Sequence, residues 1–181
     1  TRICFGEIEQ LNSRFDAKIT VKSYLKRIAS ETAELFSLSL YTGASSSGCS
    51  DSLSRKFWNI GHNIGMAFQI IDDILDYSGD EDILGKSPAN DLKQGILTLP
   101  VLYAVAEKDP VFNQLIRKDY YTDQDIKEIG EYVRNSKALD KCIQLAKRYS
   151  DKAIKLIESL PENDNKEVLM EITKKLLYRN Y

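Results

Sequence analysis

The sequence predicts an all-α fold, and three observations carry that expectation. Apolar residues recur at three- and four-residue spacing through almost the whole chain. No stretch alternates apolar and polar residues persistently enough to read as a strand. The clusters of Gly, Ser and Pro fall between the periodic segments and so punctuate helices. With 181 residues the chain fits one ordinary domain, large enough to bury a core without disulfides or metal staples.

The elements follow in order. A first helix is expected over about Ile3 to Ser13. A second begins after Thr20, whose hydroxyl can cap it; Tyr24, Ile28, Leu35 and Leu38 keep helical spacing, and Gly43 reads as its stop. "GASSSGCSD" is a small-residue loop in which Ser50 or Asp51 can cap the next helix. That helix, about Leu53 to Tyr77, is long and apolar on nearly every side. "SGDEDILGKSPANDLKQG" is polar, with Gly and Pro, and reads as a loop holding at most short turns. "LTLPVLYAVAEKD" opens another helix with Thr98 and Pro100 at its start. Thr122 caps "DQDIKEI", the beginning of a short amphipathic helix that is separated from a longer one near Asn135. Pro161 breaks the chain before a last helix from Lys166 to Tyr178, which ends in a basic "YRNY".

Composition narrows the function. Lys plus Arg is 25 and Asp plus Glu is 27, a net charge of −2, so no basic surplus exists to neutralise nucleic-acid phosphates. Cys4, Cys49 and Cys142 are scattered and lack CxxC spacing, which points to no disulfide framework or zinc site and fits a reducing cytoplasm. The longest apolar run, roughly Ile96 to Ala106, is too short to span a bilayer. The chain opens inside a helical pattern and without Met, so it is expected to be a piece of a longer protein.

The chemistry concentrates in the long helix. His62, Gly65, Gln69, Asp72 and Asp76 step by 3, 4, 3 and 4 along it, forming one stripe bordered by Asp73. A helix that is hydrophobic all round is buried, and ionised carboxylates on it need a counter-charge. Mg²⁺ suits: it takes oxygen ligands, keeps several waters, and is held through one or two carboxylates plus substrate phosphates. Gly85 and Lys86 in the following loop add a cation that can meet a phosphate. An Asp-Asp pair alone is more simply read as a solvated helix face. The apolar helix, Gln69 on the same stripe and the Gly-Lys loop favour a diphosphate site. His62 reads as a core histidine, and Tyr178, Arg179 and Tyr181 read equally as a phosphate-closing tail or a solvated end.

"FQIIDDILDYSGDEDILGKSPANDLKQGILTLP", Phe68 to Pro100, closely resembles the second aspartate-rich region of trans-polyprenyl (isoprenyl) diphosphate synthases. It carries their Phe-Gln-x-x-Asp-Asp-x-x-Asp, Gly-Lys, Asp-Leu and Thr-Leu-Pro elements in order. "FGEIEQL" and "YLKRIASETAELFSLSLYTGA" resemble the preceding helices, so the likeness runs the length of the chain. The resemblance implies the C-terminal part of an isoprenoid-synthase-type helical bundle. It implies head-to-tail elongation of an allylic diphosphate with isopentenyl diphosphate through a Mg²⁺-assisted carbocation. The product would be of medium length, for instance heptaprenyl diphosphate for a quinone side chain.

In that picture Asp72, Asp73 and Asp76 serve Mg²⁺, directly or through water, and Lys86 holds the diphosphate. Gln69 and the carbonyl of Thr32 face the cation, Asp91 stands behind the metal ligands, and Lys93 has a subsidiary substrate role. A homodimer, or a heterodimer with a small subunit, is implied too. Two departures stand out. Glu31-Thr32 replaces the family's Lys-Thr, whose lysine binds the allylic diphosphate; Glu31 is expected to weaken that binding unless it turns outward to Lys26 or Arg27. Ile96 stands where many members carry a lysine, a pattern of longer-chain enzymes. No second DDxxD-type motif occurs in the 181 residues, and the residues that set chain length lie near it, so this chain alone is expected to be inactive. The alternatives are a non-catalytic partner or regulatory homologue, and, more distantly, a terpene cyclase, which usually carries a different second motif.

Overall fold

A computed structural model describes residues 2–78 and 90–177, and among them every regular element is helical. In chain order these are α1 (Arg2–Asn12), α2 (Val21–Ile28), a π-helical segment (Ala29–Ala33), α3 (Glu34–Ser46), α4 (Asp51–Ser78), α5 (Asn90–Lys93), α6 (Leu99–Val105), α7 (Pro110–Ile116), α8 (Asp123–Asn135), α9 (Ala138–Glu158) and α10 (Asp164–Leu177). Gly85 and Lys86, and the terminal Tyr178, Arg179 and Tyr181, lie outside the described residues.

Local chemistry sets most boundaries. The Thr20 hydroxyl accepts from Ser23 N at the start of α2, and Ser50 Oγ accepts from Leu53 N at the start of α4. Thr122 and Asp125 form a reciprocal capping box on α8. One expectation needs correction, and two features were not anticipated. Gly43 does not stop its helix, because α3 runs on to Ser46 and the chain turns at Gly48, whose φ of +77° suits glycine. Helix α7 was not anticipated, although Asp109 caps it through Phe112 N and Pro110 occupies its first turn. The π segment, one residue wider per turn than an α-helix, joins α2 to α3 without a break.

Helix α4 is the central element and packs most extensively against α3 and α9. Two glycines make the first of these contacts possible. A Cβ at Gly61 would stand 2.4 Å from the Phe36 carbonyl oxygen, and one at Gly65 would stand 2.6 Å from Ala33 Cα. The backbones of α4 and the π/α3 rod therefore touch, which brings Gln69 opposite Thr32. Ile70, Ile71, Ile74, Leu97, Leu99 and Ile129 are fully buried in the main core. Ile60, Ile64, Ala153, Ile157 and Leu160 form a smaller cluster at the other end of α4. The loop after α5 is pinned to the α1–α2 linker: Phe15 N donates to Gly95 O at 2.8 Å, and the Phe15 ring fills the space a side chain at Gly95 would need. Among the described residues no helix is long and apolar enough to cross a membrane.

Candidate functional site

The last turns of α4 separate the adjacent aspartates. Asp72 is exposed and lines a cavity of about 410 Å³; Asp73 is 3% exposed and lies beneath it. The cavity is bounded by α1 (Glu7, Gln10), α2 (Tyr24, Arg27, Ile28), the π segment and α3 (Glu31, Thr32, Leu35), α4 (Gln69, Asp72, Asp73), and Asp91, Ile96 and Thr98. It therefore gathers residues far apart in sequence around one polar space.

Asp73 anchors the wall. One carboxylate oxygen accepts from Tyr24 Oη at 2.5 Å and from Leu99 N at 3.4 Å; the other accepts from Gln69 Nε2 at 3.0 Å. Gln69 Oε1 in turn accepts from Thr32 Oγ1 at 2.7 Å. A continuous relay thus runs from Thr32 through Gln69 to Asp73 and Tyr24, tying α2, the π segment, α4 and α6 together. None of these three donors carries a positive charge, and burial pushes the Asp73 pKa up to about 7 against their opposing pull. The same burial holds the Tyr24 phenol well above its ordinary range, with the Asp73 charge adding to it.

The other anticipated residues divide. Thr32 and Gln69 meet as just described, and the π segment containing Thr32 changes the backbone bonding register there, the usual setting for a carbonyl turned to another use. Asp91 lines the same cavity as Asp72; its carbonyl accepts from Gln94 N and Ile96 N, which closes the turn after α5. Asp76, one turn beyond Asp72 on the same face of α4, is half-buried. Lys93 is not part of the cavity wall: its Nζ lies 3.7 Å from Asp123 on the surface.

Glu31 does not turn outward. It lines the cavity, where Gly6 leaves room for it; a Cβ at Gly6 would stand 2.5 Å from Glu31 Cγ. Its nearest cation is Arg27, with Nε to Oε2 at 4.0 Å, while Lys26 approaches Glu9 instead at 3.7 Å. Burial raises the Glu31 pKa to about 7 despite the Arg27 charge. His62 lies away from this site, on a second cavity with Glu9, Lys26, Glu34 and Trp58, and burial lowers its pKa.

Tyr24 and Arg27 were missed as site residues. Tyr24 sits at core spacing in the sequence and is indeed buried, so its hydroxyl is the part that sequence periodicity cannot place. Arg27 stands one turn before Glu31, and that spacing was its signal.

An all-helical bundle in which a long central helix carries an Asp-Asp pair to a polar cavity defines the isoprenoid-synthase class. Heptaprenyl diphosphate synthase from Staphylococcus aureus superposes with a TM-score of 0.93 at 36% identity, over 99% of this chain and 57% of that one. A polyprenyl synthase from Caulobacter crescentus, solved with calcium and isoprenyl diphosphate, gives 0.90 at 35% identity, over 98% and 56%. The polyprenyl synthetase family model matches residues 1–133, and the chain belongs to that family. Among its curated relatives is heptaprenyl diphosphate synthase component 2 of Geobacillus stearothermophilus, 34% identical over 99% of this chain and 56% of the relative. The chain spans a little over half the length of such relatives.

Proposed function

We propose that the protein to which this chain belongs elongates an allylic diphosphate with isopentenyl diphosphate, and that this chain supplies one wall of the diphosphate site. The observation that carries the reading is the division of labour at the end of α4. Asp72 faces a polar cavity, and Asp73 beneath it locks the wall through Tyr24, Gln69 and the Leu99 amide.

The donor set fits Mg²⁺. Asp72 and Asp76 share a helix face and present hard oxygen ligands, and among the described residues no cluster of three or more His, Cys, Asp or Glu side chains is placed to hold a metal alone. One or two carboxylates completed by water and phosphate oxygens are the way Mg²⁺ is usually bound. When bound, the ion neutralises the negative charge that develops on a departing diphosphate.

The chain's own residues do the positioning. Asp72 and Asp76 would hold the ion, and Asp73 fixes the pitch of the helix that carries them. Thr32 holds the Gln69 amide in one orientation, so its dipole can face a developing cation without reorganising. Lys86 would add a cation to the diphosphate. Asp91 and Lys93 would act at a distance from the reacting atoms.

A medium-chain product, for instance heptaprenyl diphosphate for a quinone side chain, is in keeping with relatives named for heptaprenyl, hexaprenyl and solanesyl diphosphate. A small partner subunit is in keeping with relatives named component 2. Mass-spectrometric product analysis tests the proposal, using protein from the complete reading frame with farnesyl diphosphate, labelled isopentenyl diphosphate and Mg²⁺. Elongated diphosphates are expected; their absence with every candidate partner subunit present would overturn it. One observation favours a second reading, a non-catalytic subunit of such a synthase: Glu31 places a carboxylate on the cavity wall where the family pattern has lysine. Mg²⁺-dependent diphosphate binding that survives Asp72→Ala would favour that reading.

A further inference from the structure

Arg27 is the cavity residue whose bonding is least complete. Its side chain is 7% exposed, and a guanidinium cannot shed its charge when buried. Nη2 donates to the Leu97 carbonyl at a long 3.4 Å, and Nε has no hydrogen-bond partner among the described residues. The ring of Tyr24 lies 5.5 Å from Cζ. Glu31 Oε2 stands 4.0 Å from Nε, and the second carboxylate oxygen of Glu31 is also buried without a partner. Buried donors and acceptors are nearly always satisfied, so an ion pair left half-made in a polar cavity needs a reason.

The cavity supplies one. Among its described lining residues Arg27 is the sole base, facing the carboxylates of Glu7, Asp72, Asp73 and Asp91 as well as Glu31. A cation-bridged anion held at Asp72 would share the cavity with a planar guanidinium whose hydrogen bonding is incomplete. That is the arrangement suited to forked recognition of phosphate oxygens. From this we infer that Arg27 binds the diphosphate of the substrate, and that Glu31 positions the Arg27 side chain on the cavity wall. The cation that the family pattern carries at position 31 is thus supplied one helical turn earlier, and Glu31 takes the supporting role. The inference rests on the synthase reading but is separable from it.

The test is calorimetric titration of the protein from its complete reading frame with inorganic pyrophosphate and with farnesyl thiolodiphosphate, both with Mg²⁺. Arg27→Gln is expected to weaken both by about tenfold or more, the scale of a charge-assisted pair. Adding Glu31→Lys to that variant returns a cation to the cavity and is expected to restore most of the affinity, which a purely structural role for Arg27 would not allow. Unchanged affinity in folded Arg27→Gln, or no recovery in the double variant, overturns the inference. If Arg27→Gln does not fold, Arg27→Lys carries the test: it keeps the charge but loses the planar fork and is expected to weaken binding about tenfold, unchanged binding counting against the inference. Arg27-dependent pyrophosphate binding in a protein that never elongates would sink the synthase reading and leave this inference standing. Elongation with normal binding by Arg27→Gln would do the reverse.

Discussion

Two aspartates, Asp73 in the cavity wall and Asp125 in the cap of α8, are about equally covered, at 3% and 7% exposure, and behave oppositely. Asp125 accepts from Thr122 N, the Thr122 hydroxyl and Lys118 Nζ, the last at 2.6 Å. The Lys118 bond leads the causes that draw its pKa down to about 2. Asp73 has a comparable set of hydrogen bonds but no such cation, and its pKa rises to about 7. Both are little exposed, but Asp73 lies deep enough for desolvation to dominate, whereas at Asp125 desolvation is slight and the Lys118 bond dominates. Asp125 is finished within the chain and serves structure. The Asp73 wall shares its cavity with Asp72 and Arg27, and it is this side of the molecule that the proposed function assigns to ligand binding.

The largest expected effect lies on the unfinished side. Asp72→Ala should lower kcat/KM for elongation by about a hundredfold to a thousandfold, the scale of losing one preorganised electrostatic contact to the developing charge. Product formation under initial-rate conditions measures it, and the change should leave the melting temperature nearly unaltered because Asp72 is exposed. Tyr24→Phe should act on both properties. It strips the 2.5 Å donor from a buried carboxylate and should lower stability by about 1–3 kcal/mol in urea unfolding.

The pH dependence separates the two regions by sign. Asp73 and Glu31 have raised pKa values, so between about pH 4 and 7 the folded state keeps protons that the unfolded chain has released. Stability in the presence of a chelator should therefore fall as pH rises through that window, and Glu31→Gln should flatten part of the slope. Asp125 has a lowered pKa, so its contribution is present above about pH 4 and is lost as pH falls toward 2. Denaturant melts at several pH values would show both slopes. The smallest effect belongs to the finished side: Thr122→Ala should cost about 1 kcal/mol by removing the α8 cap and leave diphosphate affinity untouched.

Much of this was legible in the sequence. Thr20, Ser50 and Thr122 cap where a hydroxyl before an apolar-periodic segment should, and α4 is buried because it is apolar on nearly all sides. The stripe of Gln69, Asp72 and Asp76 likewise reflects nothing more than helical spacing. What stayed hidden depends on contacts between elements. The π segment has no local signature; what accompanies it is the close approach of Gly65 on α4 to Ala33. Asp72 and Asp73 are identical in type and adjacent, and only the positions of Tyr24 and Leu99 decide which is buried. Whether Glu31 faces the cavity or turns outward was left open by the sequence, because nothing in its neighbourhood shows that Gly6, on another helix, makes room for it.

The central claim is that the carboxylates of α4 hold a cation-bridged diphosphate while the capping aspartate does not. Calorimetric titration of farnesyl thiolodiphosphate into the protein from its complete reading frame tests it most directly, with and without Mg²⁺, for the unaltered protein, Asp72→Ala and Thr122→Ala. The account predicts Mg²⁺-dependent binding that Thr122→Ala retains and Asp72→Ala loses by at least about a hundredfold. Binding that persists in Asp72→Ala, or that is indifferent to Mg²⁺, would contradict it.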